Sequence, residues 1–229
     1  MHALAYSNTQ NAISWNGIQL ANGVEFDAFM ADEVASRLHD EVGKADFAAH
    51  LNSLASTGFA QENLQAILAA EHPEERDWAV GEALAEAWLS REHGVVWPWN
   101  MERDKRTPQA SLPGADLVGF VTQGSETRLA LGEVKSSSDS RTPPNVMTGR
   151  SGMTHQLESL ATDMGLLYTL IRWLQPRCRG NSSEPLFNAA VGLLFQTGNK
   201  AMTLFGVLVR DTPPDELDLR SHPDFLAVK

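Results

Sequence analysis

The 229 residues hold a single cysteine, Cys178. One thiol excludes an intramolecular disulfide and any multi-cysteine zinc site. Its setting, Pro176-Arg177-Cys178-Arg179-Gly180, reads as a polar turn without the features of an activated nucleophile. Long apolar runs are also missing: nothing approaches the roughly 18 to 20 residues a membrane span needs. The opening Met1-His2-Ala3-Leu4 lacks the basic and apolar stretches of a signal peptide, so a cytoplasmic protein is expected. His-x-x-x-His spacing, glycine-rich phosphate loops and a Gly-x-Ser-x-Gly elbow are absent, which removes zinc-protease, nucleotide-binding and serine-hydrolase readings. Internal repeats and low-complexity tracts are absent as well.

Positive charge is scarce. The formal net charge is -11, which argues against strong non-specific binding of nucleic acid, since that affinity comes mainly from Lys and Arg on phosphates. The imbalance is local, however. Residues 1 to 93 carry fifteen acids and four bases, whereas residues 94 to 229 carry fourteen of each. With 42% hydrophobic and 21% charged residues, the chain can bury a full core in one domain, or in one domain with an appendage.

Apolar residues recur at helical spacing from Val24 to Glu71, through Phe26, Phe29, Met30, Val34, Leu38, Leu51, Leu54, Leu64, Ile67 and Leu68. Two or three helices are predicted there, separated at Gly43, Thr57-Gly58 and His72-Pro73. Residues 1–72 thus read as an acidic helical region packed on a core formed by residues 73–229. Pro73, Glu74, Glu75 and Asp77 suit the first turn of a helix running to His93, with Gly94 as its stop. A short strand at Val95-Val96-Trp97 and a hairpin of Ala115–Thr122 with Thr127–Lys135 follow. Residues 136–152 read as a long loop able to move or to become ordered on binding, and Met153–Leu174 as one helix. Leu186–Gln196 and Ala201–Val209 are predicted to form a second hairpin. The order, helices and then αβββαββ, predicts an α/β fold with a mixed sheet covered by helices.

The chemistry gathers at the first hairpin. In Leu131-Gly132-Glu133-Val134-Lys135 the alternation of a strand puts Glu133 and Lys135 on one face and Val134 on the other. Asp116, after Pro113-Gly114-Ala115, opens the preceding strand, and pairing of the two strands can set it beside Glu133. Adjacent carboxylates repel unless a cation joins them, and hard oxygen ligands with open water positions suit Mg²⁺ or Mn²⁺. The predicted metal ligands are therefore Asp116 and Glu133. Such an ion acidifies water and neutralises a phosphoryl transition state, while Lys135 orients the water or the developing charge: phosphodiester hydrolysis.

Gly114-Ala115-Asp116 followed seventeen positions later by Glu133-Val134-Lys135 resembles the PD-(D/E)xK nuclease superfamily, over roughly Arg76 to Val209. The written pattern has proline directly before the aspartate, whereas here Ala115 stands there and Pro113 is displaced upstream. The resemblance implies a restriction-endonuclease-like αβββαβ core and a further acid on the helix before the first strand. In Gly81-Glu82-Ala83-Leu84-Ala85-Glu86 that acid is Glu82, placed at the border of the buried stripe beside Trp78, Ala85 and Leu89. Glu86, turned further toward the polar face, is the alternate. The resemblance also implies that His155 and Gln156, in the first turn of the downstream helix, touch the metal water or a substrate phosphate, although capping of the helix is the reading their position favours. Leu112–Phe120 with Gly132-Glu133-Val134-Lys135 is similar, more loosely, to nuclease subunits of Hachiman-type bacterial anti-phage systems. That likeness implies a DNA substrate and a helicase-like partner that delivers it. A different reading, a non-catalytic module that keeps the fold and recruits a partner through its acidic helices, competes with the enzyme. Trp97-Pro98-Trp99 before Arg103, Lys105 and Arg106 reads as core filling rather than as a nucleic-acid platform.

Overall fold

The computed structural model describes residues 2–70, 77–104 and 114–220. Its first element departs from the helical expectation for residues 1–72: β1, His2–Gln10, and β2, Ile13–Leu20, form an antiparallel hairpin turning at Asn11, where φ is 56° and asparagine is tolerated. Only Trp15 and Gly17 of these strands are buried, so the period-two pattern carries too few apolar residues to stand out. Helices follow: α1, Val24–Ala28, runs through a π-helical stretch, Phe29–Val34, into α2, Ala35–Leu38, and then come α3, Glu41–Leu54, and α4, Gly58–Leu68. The break before α3 lies at His39-Asp40, where Asp40 accepts a hydrogen bond from Gly43 N, so Gly43 belongs to the first turn rather than to a stop. Thr57 caps α4 by accepting from Ala60 N.

Helix α5, Asp77–His93, ends as predicted at Gly94, with φ of 65°. The proposed start at Pro73, Glu74 and Glu75 lies outside the described residues. After α6, Met101–Asp104, strands β3, Leu117–Gln123, and β4, Glu126–Ser137, pair antiparallel around Gly124. Helices α7, Met153–Thr162, α8, Met164–Cys178, and α9, Glu184–Gln196, lead to β5, Met202–Arg210, and α10, Leu217–Arg220. The sheet order is β3-β4-β5, with β5 parallel to β4. A parallel neighbour needs a crossover, and α7 to α9 provide it.

The predicted β-run at Leu186–Gln196 is therefore helical, and there is no second hairpin. Pro185 sits in the first turn of α9, and Ala190, Val191 and Leu194 are buried at helical spacing. The run is apolar because α9 lies on β3 and β4, and short apolar runs carry no period that separates helix from strand. The helix predicted over Met153–Leu174 divides at Asp163, whose carboxylate accepts from Gly165 N at 2.8 Å and Leu166 N at 3.1 Å. Asp163→Ala is expected to cost about 1 kcal/mol, lowering Tm by about 2–4 °C in a thermal melt. The predicted strand at Val95-Val96-Trp97 contracts to a single bridge between Val96 and Phe120. Among the described residues the architecture is mixed α/β, with a small three-stranded mixed sheet.

Paired strand residues share a face, which fixes what covers each side of this sheet. Phe120 and Leu129 pair, and Phe187 of α9 meets Phe120 edge-on. Gly206 pairs with Glu133 and lies beneath Met153 and Leu157 of α7. Thus α7 and α9 cover the Leu129, Leu131 and Glu133 face. On the opposite face Trp97 packs over Gly119, His93 over Phe205, and Gly81 of α5 against Ser136. Phe29 and Val34 close the outer side of α5 and join the same apolar cluster as Leu117, Leu129 and Leu131. Each fully buried side chain of this size contributes roughly 1.5–3 kcal/mol.

Candidate metal centre

Gly114, with φ of 92°, bends the chain into β3, and a Cβ there would also strike Leu166. Asp116 N then donates to Gly132 O at 3.0 Å. That bond extends the Leu117↔Gly132 register by one residue and sets Asp116 across from Glu133. One Asp116 oxygen, Oδ2, accepts from Val134 N at 2.9 Å, which orients the carboxylate along the strand end. Glu133 is only 2% exposed, and Lys135 Nζ donates to its Oε1 at 2.6 Å. The structure brings these three side chains together at one end of the β3–β4 pair.

Burial, and then the negative charge of Asp116, push the Glu133 carboxyl up to about 8, against the opposing hydrogen bond from Lys135. A buried carboxyl so placed holds its proton more readily than a free one unless a cation offsets the neighbouring negative charge. The donor set fits a hard divalent ion that uses one or two protein carboxylates and keeps several waters, as Mg²⁺ does. Among the described residues no group of three or more His, Cys, Asp and Glu side chains could hold a metal, so the protein's share of such a site is the pair Asp116 and Glu133.

The raised Glu133 has a consequence for folding. A carboxyl whose folded pKa exceeds its unfolded value of 4.5 binds more protons when folded, so the stability that Glu133 contributes is fully present below about 4.5 and is lost as pH rises toward about 8. Without divalent ions the wild-type Tm is expected to fall more steeply than that of Glu133→Gln from about pH 5 to about pH 8. Added Mg²⁺ should recover the difference at the alkaline end. Parallel slopes in a differential scanning series would contradict this.

Glu82 lies on α5, 8% exposed and one residue after Gly81, whose Cβ would stand 2.2 Å from Ser136 Oγ. Helix α5 covers the Val134 face, opposite the one that carries Glu133 and Lys135, and among the described residues no third acid is grouped with Asp116 and Glu133. Glu86 was expected toward the polar face; it is instead fully buried, and its carbonyl accepts from Trp97 Nε1 at 3.0 Å. The reason is that α5 is covered on both sides, by the sheet and by residues 29–38. His155 is exposed, whereas Gln156 is half-buried with Oε1 shielded and accepting no hydrogen bond. His155 lines a cleft of about 370 Å³ with Arg150, Thr148 and Thr154.

Several other expectations resolve here. Trp97 and Trp99 are core residues, Trp99 Nε1 donating to Val118 O at 2.9 Å. Arg103 pairs with Asp104, while Lys105 and Arg106 lie outside the described residues. Cys178 is buried at the end of α8 rather than in a polar turn, and burial pushes its thiol up to about 11, which leaves it inert. The long loop after β4 is pinned rather than loose. Arg210 donates to the carbonyls of Asp139 and Arg141 and pairs with Asp218, and Thr154 Oγ1 donates to Met147 O. Sequence reasoning passed over Arg210 because its partners are mostly backbone carbonyls some seventy residues away, a contact no local pattern announces.

Comparison of the chain with models of known families, with curated proteins and with solved structures found no match.

Proposed function

We propose that the chain is a Mg²⁺- or Mn²⁺-dependent nuclease of restriction-endonuclease-like fold that hydrolyses DNA phosphodiesters. The observation that carries this reading is the convergence of Asp116, Glu133 and Lys135 at one end of the β3–β4 pair, with Glu133 buried and bonded to Lys135. A bound divalent ion would supply charge neutralisation for the phosphoryl group and acidity to its water.

Asp116 and Glu133 would hold the cation. The bond from Val134 N fixes Asp116, so the pair is oriented before any ligand arrives. Lys135 favours the ionised form of Glu133, and with the cation bound its ammonium is free to donate toward a phosphate oxygen or the attacking water. Glu82 of α5 is assigned as the auxiliary acid of this reading. His155 and Gln156 begin the helix that covers the Glu133 face, which suits contact with the substrate backbone. With a net charge of -11, delivery of DNA by a helicase-like partner, as in Hachiman-type defence, complements the reading.

Incubation with supercoiled plasmid and with single-stranded DNA tests it. Nicking or degradation is expected with Mg²⁺ or Mn²⁺ and none with EDTA. Intact substrates under every cation condition contradict it.

A further inference from the structure

We infer that the α3–α4 hairpin is a docking arm for a second protein whose contact surface sets apolar side chains among Lys and Arg. This surface lies apart from the Asp116–Glu133 cluster, and the inference does not rest on nuclease activity.

The two helices pack chiefly on each other rather than on the sheet or α5. Among the described residues α3 has no buried side chain, and α4 buries only Leu64. Phe47, Leu54, Phe59 and Ile67 are each more than half exposed. On α3 Phe47, Leu51 and Leu54 recur at i, i+4 and i+7, one stripe of a helix. Exposed apolar surface on this scale, on the order of several hundred Å², marks protein interaction sites rather than ordinary solvated helices.

The root of the arm is held while the stripe stays open. Lys44 Nζ pairs with Glu102 Oε1 at 2.7 Å, and Asp40 N donates to Glu102 Oε2 at 2.6 Å, tying the start of α3 to α6. A surface presented on an anchored base loses little conformational freedom on binding.

Charge selects the occupant. The arm itself, residues 41–68, contains Glu41, Asp46 and Glu62 against one base, Lys44, whose ammonium pairs with Glu102 at its root. A second copy would bring two negative arms together, whereas a basic rim around an apolar centre complements this one.

The test uses the full chain and two synthetic helical peptides sharing one stripe of Leu and Phe, one flanked by Lys and Arg and the other by Glu. Fluorescence anisotropy is expected to show the basic peptide binding at least tenfold more tightly than the acidic one, with affinity falling as salt rises. Phe47→Ser/Phe59→Ser should weaken that binding at least tenfold while leaving Tm unchanged, since both side chains are exposed. Equal binding of the two peptides, binding of neither, or unaltered binding by the double variant overturns the inference. So does a stable dimer in sedimentation velocity that the same double variant dissociates, because the arm would then serve self-association.

Discussion

Glu133→Gln is expected to reduce cation-dependent cleavage by about a thousandfold or more, equivalent to about 4 kcal/mol of lost transition-state stabilisation, while leaving the protein folded. In the proposed centre the substitution removes one of the two charged ligands and would leave Asp116 alone to hold the ion. The structural outcome runs the other way. Glu133 is buried, and its ionisation is opposed by burial and by Asp116, so the neutral amide suits the metal-free site better than a carboxylate does at pH 8. A variant with lost activity and an unchanged or higher Tm separates a functional carboxylate from a structural one. Lys135→Ala should lose about a hundredfold to a thousandfold by the same assay, the range for removing one donor from a charge-stabilising site. Retained cleavage in both variants would remove this cluster from the chemistry.

Gly132→Val is expected to be among the most damaging single changes to the fold. A Cβ at residue 132 would lie 2.2 Å from the backbone oxygen of Phe205 and 3.1 Å from Leu117 Cδ1. The closer atom belongs to the neighbouring strand and cannot rotate away, so relief requires β5 to move off β4. Overpacking of this kind costs at least about 2–3 kcal/mol, or roughly 4–12 °C in Tm for a domain of this length. The same movement would shift Gly206, which pairs with Glu133, and loosen Met153 and Leu157 above it. Thermal melts and plasmid cleavage should therefore decline together in this variant, in contrast to Glu133→Gln. A Tm within a degree of wild type would contradict the close approach of the two strands.

The contrast between these variants reflects which features local sequence could carry. Asp116, Glu133 and Lys135 were readable because Asp116 immediately precedes β3 and the other two lie on β4, strands joined by a short turn, where alternation and register translate spacing directly into proximity. Gly94 was readable for a similar reason, since a helix stop is a local event. Glu86 was misplaced because the amphipathic argument assumes one covered side, whereas α5 is enclosed by the sheet and by Phe29 and Val34. The α9 helix was taken for a strand because its run of Leu, Val and Phe has the composition of either. The parallel pairing of β4 with β5 then followed from that helix, beyond the reach of a strand-by-strand reading. The β1–β2 hairpin escaped through its polarity, and the pinned loop after Lys135 through its dependence on Arg210 far downstream.

Titration with Mn²⁺ at pH 8, followed by electron paramagnetic resonance of the free ion, bears most directly on the Asp116–Glu133 pair. The wild-type chain should remove Mn²⁺ from solution saturably, Mg²⁺ should compete for the same positions, and Asp116→Asn and Glu133→Gln should each weaken binding at least tenfold. Mn²⁺ uptake that is absent in the wild type, or unchanged in both variants, would show that these carboxylates do not form a metal centre.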